Sequence, residues 1–320
     1  MVRLTLAAIL LIGAGGCEAP PRAPLTVGLN PWIGYDPLVF AREMELVDRD
    51  VLKVVELEST ADSARQLRNG LIDAAGLTLP EAIELAATGT DIRIVAILSQ
   101  SKGGDAVIAA PHLRQPSDLR GVRLGLEDTA LASTMLARLS EEGRLRSEEL
   151  TLVYAPAVMH EDMMRRGQVD AVITFEPVIS RLLAAGFSNV LDSAHIQGEV
   201  IDVLVVRGEV AEARWHDVTL LLSAFDDGRR ALLSEVDAAA GLLAPGLGLS
   251  AGEYLDALKG IRLFSAHESR ALIDAAPSVG LLDLERVSAD LKAAGRLMAD
   301  PDWNDLFDKR LPAAAGRSIR

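Results

Sequence analysis

The chain has one cysteine, Cys17, in 320 residues. It can therefore close no intrachain disulfide and offers no cysteine-ligated metal site. Its five histidines, His112, His160, His195, His216 and His267, are scattered; none forms an HExxH pair or a zinc-type spacing. No GxSxG elbow, Walker loop or GxGxxG fingerprint occurs, and Gly246-Leu247-Gly248 reads as a turn. These absences leave no sign of a metal or cofactor and argue against an enzyme, unless a cleft carboxylate or serine does acid-base work. Positive charge is short as well: 32 Lys and Arg face 46 Asp and Glu, a net −14. That balance argues against nucleic acid as a partner. Aromatics make up only 4%, so any stretch that concentrates them stands out. Leu4 begins an apolar run that ends at Ile12 and is too short to span a bilayer.

Arg3 precedes that run, and Gly13-Ala14-Gly15-Gly16-Cys17 follows it, the layout of a secretory signal peptide. The segment resembles a bacterial lipoprotein signal, in which the cysteine after the cleavage site is lipidated, although Ala14 stands where such signals usually carry leucine. Residues 1–16 are expected as signal peptide and 17–24, with Pro20, Pro21 and Pro24, as a tether whose Cys17 anchors the protein to a membrane. The localisation expected is periplasmic or cell-surface. The remainder is long enough for two cores.

Two of the few aromatics sit in Leu29-Asn30-Pro31-Trp32-Ile33-Gly34-Tyr35-Asp36-Pro37. This follows an apolar run at 25–29 and opens a helical pattern over 36–46, so it reads as strand, loop and helix. Ligands of open α/β sheets sit at the carboxyl ends of strands, which makes Trp32 and Tyr35 either binding surface or the seal of a core edge. Strands are then expected at 51–57, 71–77, 92–98, 105–109, 119–126, 150–154, 169–174 and 200–206. Helices are expected between them at 61–69, from Pro80 through Glu84, and at 129–139, 158–166 and 178–185. Such alternation implies parallel sheets with right-handed crossovers. Helical patterns follow at 215–233, 251–258, 268–275, 284–297 and 304–309, before a small polar tail from Pro312 that is expected to be loose.

An internal match supports two lobes. Asn69-Gly70-Leu71-Ile72-Asp73-Ala74 through Pro80 aligns without gaps with Arg166-Gly167-Gln168-Val169-Asp170-Ala171 through Pro177, sharing Gly, Asp, Ala and Pro. Each Gly suits a turn out of a helix and each Pro the start of the next one. Thr78 and Leu79 would then line one wall of a cleft, and Phe175 and Glu176 the other. The division expected is 25–109 plus 200–320 for the first lobe and 110–199 for the second.

The loop at 32–37, the helix from Leu38 and the segments 69–74 and 168–172 resemble the NMT1/SsuA-type substrate-binding proteins of ABC importers for nitrate, sulfonates, taurine and thiamine pyrimidine precursors. The resemblance runs over about 25–297. It implies a type II periplasmic-binding-protein fold, two α/β lobes closing on one small molecule, which a monomer would deliver to an ABC permease and its ATPase. It places ligand contacts on Trp32, Tyr35, Ser59, Asp62, Thr78, Ser99 or Ser101, Asp128, Thr129, Phe175 and Glu176. Anion-binding members often have a Gly/Ser/Thr-rich helix start where this chain has Glu127-Asp128-Thr129. Those carboxylates, with Glu176 and the aromatics, point to an aminopyrimidine-like or cationic nitrogenous solute. The alternatives are an anion such as a sulfonate, taurine or nitrate, a lipoprotein that passes a solute signal to a membrane receptor, or an enzyme on the same fold. The related pyrimidine synthases depend on a cysteine-rich segment that this chain lacks.

Overall fold

The computed structural model describes residues 22–310, except 197, 199, 277–281 and the side chain of residue 147. The expected signal peptide, Cys17 and the tail from Pro312 lie outside the described residues, as does the tether up to residue 21. No helix of the described residues is long and apolar enough to cross a membrane.

Eleven strands make two sheets among the described residues. The strands are β1 (Leu25–Leu29), β2 (Leu52–Glu56), β3 (Ala74–Thr78), β4 (Ile92–Ser101), β5 (Asp105–Ala109), β6 (Arg123–Leu126), β7 (Thr151–Tyr154), β8 (Ala171–Phe175), β9 (Ser188–Asp192), β10 (Ile201–Arg207) and β11 (Ile261–Leu263). The first sheet runs β11-β4-β10-β3-β1-β2 and the second β7-β6-β8-β5-β9. Apart from β11 the orders correspond strand for strand. In each sheet a parallel trio, β2-β1-β3 or β7-β6-β8, is extended by an antiparallel strand, β10 or β5. The expectation of parallel sheets is corrected by those strands. Each enters its sheet just after the chain has crossed from the other lobe, so it runs against its neighbours. The boundary expected at 109/110 is corrected too: β5 pairs with β8 and β9 in the second sheet, so the first crossing lies between Ser101 and Asp105.

The internal match has a structural cause. Gly70 and Gly167 turn out of the helices Thr60–Arg68 and His160–Arg165 at φ +70° and +64°, a region that side-chain-bearing residues avoid. The aspartates then act alike. Asp73 Oδ2 accepts from the Thr26 amide at 2.9 Å, and Asp170 Oδ2 accepts from the Arg123 amide at 2.9 Å. Their own amides donate back to the carbonyls of Thr26 and Arg123, again at 2.9 Å. Each aspartate thus pins the start of the neighbouring parallel strand, and β3 and β8 begin later than the apolar pattern suggests.

Both faces of the first sheet are buried. Leu204 and Val206 of β10 face a core with the helices Asp36–Glu43 and Trp215–Ser234, while Val203 and Val205 face one with Ile83, Val287 and Leu291. A strand buried on both sides needs an unbroken apolar run, and β10 has one except at Asp202 and at its last residue, Arg207. The C-terminal helices wrap this lobe, one of them being Leu284–Ala293.

Candidate functional site

The carboxyl ends of β1 and β3 meet those of β6 and β8 across a seam between the lobes. Trp32 and Tyr35, both buried, come from the first of these ends. Trp32 Nε1 donates to Asp202 Oδ2 at 2.9 Å and the Tyr35 hydroxyl to Asp202 Oδ1 at 3.3 Å. Ser99 Oγ donates to the same carboxylate. Burial raises Asp202 to about 6, held there against those three donors. Burial, followed by the charge of Asp202, raises the Tyr35 phenol well above its usual range. Gly34 is required because a Cβ there would collide with the Trp32 indole and with Ser99 Oγ. Trp32 meets Phe175 of the opposite lobe edge-on, with centroids 6.1 Å apart and planes at 88°. The two rings therefore close the seam against each other.

Beside this contact lies a residual space of about 20 Å³, lined from the first lobe by Thr60 and Glu81 and from the second by Asp105, Glu127, Thr129 and Thr174, among others. It holds roughly one water molecule and no organic solute, so these lobes are in a closed form. Two helices from opposite lobes begin at it, Thr60–Arg68 and Ala130–Gly143. First-turn amides of a helix have no intrahelical acceptor, and the macrodipole makes such ends attractive to negative charge. No Lys, Arg or His is among the residues lining the space. Burial raises Glu81 and Asp105 each to about 8, and it raises Glu127 and Glu176 as well. Asp105 Oδ2 and Thr174 Oγ1 are buried without a hydrogen-bond partner. Among the described residues no group of three or more His, Cys, Asp or Glu is arranged to hold a metal.

The other expected site residues spread around this centre. Ser59 caps its helix, accepting from the Asp62 amide at 3.2 Å, while the Asp62 carboxylate turns to Arg65 and to Gln66 at 2.9 Å. The Thr78 amide donates to Glu81 Oε2 at 2.9 Å. Ser101 Oγ shares a hydrogen bond of 2.7 Å with Ser193 Oγ beneath the crossing. Thr129 Oγ1 caps its helix from the Ala132 amide at 3.2 Å. Glu176 accepts from the amide and the hydroxyl of Ser180, both at 3.0 Å. Asp128, with a side chain 73% exposed, is paired across the lobes with Arg296. That pair belongs to a set of contacts tying the closed lobes together: Arg138 to Asp290, Arg286 to Glu141 at 2.7 Å, and Arg181 to the Leu247 carbonyl at 2.8 Å. Sequence reasoning missed Asp202, Glu81 and Asp105. For Asp202 a signal existed, a lone carboxylate in the apolar run Ile201-Asp202-Val203-Leu204.

With this geometry in view, the comparison with known proteins is direct, because residues 18–240 match the NMT1-like family. The chain belongs to that family. A putative aliphatic sulfonates-binding protein of Escherichia coli (strain K12) is 21% identical over 267 residues, 80% of this chain and 83% of that one. The alkanesulfonate-binding protein SsuA of Xanthomonas axonopodis pv. citri, solved bound to MOPS, superposes with a TM-score of 0.72 at 19% identity, covering 91% of this chain and all (100%) of the other. The periplasmic aliphatic sulphonate-binding protein SsuA of E. coli gives 0.73 at 16% identity, with 93% and 96% covered. At these identities the two structures establish a shared fold of two α/β lobes around a cleft.

Proposed function

We propose that this NMT1-like protein is the extracytoplasmic solute-binding component of an ABC import system, and that its cleft takes a small organic anion of the sulfonate class. The observation that carries the reading is the pair of helix starts, one from each lobe, at a single interlobe space. An anion there would meet free amides from both sides, so its binding would favour closure. The names borne by the relatives point the same way. The nitrogenous solute expected from Glu127, Asp128 and Glu176 loses part of its basis, since Asp128 is spent on Arg296. Two other carboxyls at the space need not repel an anion: Glu81 and Asp105, raised by burial to about 8, hold their protons at neutral pH in the closed cleft and can donate. Lobe closure about the two crossings, release to a permease, a membrane anchor through Cys17 and a monomeric state belong to the same proposal.

One observation favours a second reading, a solute bearing an amine: several buried carboxyls face a space whose lining has no cationic side chain. Calorimetric titration separates the two. Propanesulfonate and taurine are expected to bind, whereas agmatine and an aminopyrimidine are not. Tight binding of either nitrogenous probe with no heat from the sulfonates would reverse the assignment.

A further inference from the structure

A cavity of about 210 Å³ lies in the first lobe beside Trp32, lined by the helices Asp36–Glu43 and Val236–Leu243. Val39, Leu242, Leu243 and the Trp32 indole give it apolar walls. Its polar groups are of one kind. Asn30 Oδ1 is buried away from solvent and out of reach of a ligand in the pocket. Asp36, 5% exposed, accepts from the Tyr254 hydroxyl through Oδ2 at 2.7 Å, which leaves the rest of its carboxyl for another donor. The one cation in the lining, Arg42, is held by Glu43 at 2.8 Å and Glu56 at 2.6 Å. Acids outnumber bases in the lining, which disfavours an anion. A cavity of roughly 150 Å³ accepts benzene, so this one has room for a ring and a head group.

We propose that this pocket is a second ligand site, separate from the interlobe cleft, that takes a compact amine: an apolar body against Val39, Leu242 and Leu243, with its N–H groups donating to the Asp36 carboxyl. Leu247 also lines the pocket, and its carbonyl accepts from Arg181 of the second lobe. All the residues that line the pocket belong to the first lobe, so the site does not depend on lobe closure.

Benzylamine is the probe, with benzoate as the isosteric anion, titrated into the full chain by ligand-observed NMR and calorimetry. Benzylamine is expected to bind about tenfold or more tighter than benzoate. Filling the pocket with Leu243→Trp, or with Val39→Phe should the first variant fold poorly, is expected to weaken benzylamine by about tenfold or more. Propanesulfonate affinity stays the same in either variant. Equal binding of benzoate, no binding of benzylamine, or undiminished binding in a folded filled variant overturns the site. So does one-for-one competition with propanesulfonate, which would put benzylamine in the cleft. If benzylamine binds as stated while no sulfonate does, the second site stands and the sulfonate reading falls.

Discussion

The buried acids predict that rising pH opens the lobes, with a slope that can be worked from two groups. Glu81 faces the seam from the first lobe and Asp105 from the second, and burial lifts them to about 8 from ordinary values of 4.5 and 3.8. Opening hydrates both and returns them toward those ordinary values, so the closed form holds up to two protons that the open form releases. The closed form's advantage is then complete below about pH 4 and is lost as pH rises through about 8. Within that window each group contributes about 1.4 kcal/mol per pH unit. The closed-to-open ratio thus falls about tenfold per unit if one proton is coupled and about a hundredfold if both are. Glu81 and Asp105 repel each other and face Asp202, with Glu127 and Glu176 adding to one or the other, so the measured slope belongs to the set. Small-angle scattering of the ligand-free protein from about pH 5 to about pH 9 should show the radius of gyration growing, and Glu81→Gln with Asp105→Asn should flatten the curve. A radius independent of pH, or a slope unchanged in the double variant, would refute the reasoning.

Other perturbations test the seam piece by piece. Asp290→Ala removes a cross-lobe partner of Arg138, whose side chain is 6% exposed; the closed form should lose about 3 kcal/mol, the low end for a broken buried pair because Glu141 still faces Arg138, read by scattering and urea titration. Asp128→Ala breaks a pair at an exposed carboxylate and should cost no more than about 1 kcal/mol; a large loss of solute affinity in that variant would instead give Asp128 a direct ligand role. Trp32→Ala should weaken solute binding by about 1–3 kcal/mol in calorimetry, and unchanged affinity would take the indole out of the site. Gly167→Ala, at φ +64° with open space around the new Cβ, should lower unfolding stability by about 1 kcal/mol. Gly70→Ala should lower it further, since that Cβ would lie 2.9 Å from Arg207 Nη1.

The family was legible through the resemblance of the segments at 32–37, 69–74 and 168–172, and the alternation of strands and helices because it rests on local rules. Alternating apolar runs and helical periods mark the elements, and Gly70, Asp73, Gly167 and Asp170 repeat a turn whose chemistry involves a few neighbouring residues. The direction of β5 and β10 was not legible. An apolar run has no polarity of its own, and only the crossing between lobes sets which way these strands run. Trp32 was found as an aromatic at a strand end, yet its hydrogen bond to Asp202, 170 positions away in sequence, has no local trace.

By itself the sequence determined the alternation of strands and helices, the repeated strand ends and the aromatic character of the loop at Trp32 and Tyr35, since each follows from side-chain periodicity, from residue type or from a backbone conformation only glycine adopts easily. The tertiary structure decided the electrostatics. Carboxyls far apart in the chain, Glu81, Asp105 and Asp202, gain raised proton affinities only because the tertiary structure buries them away from water, and Asp128 becomes a latch residue only because Arg296 reaches it across the seam.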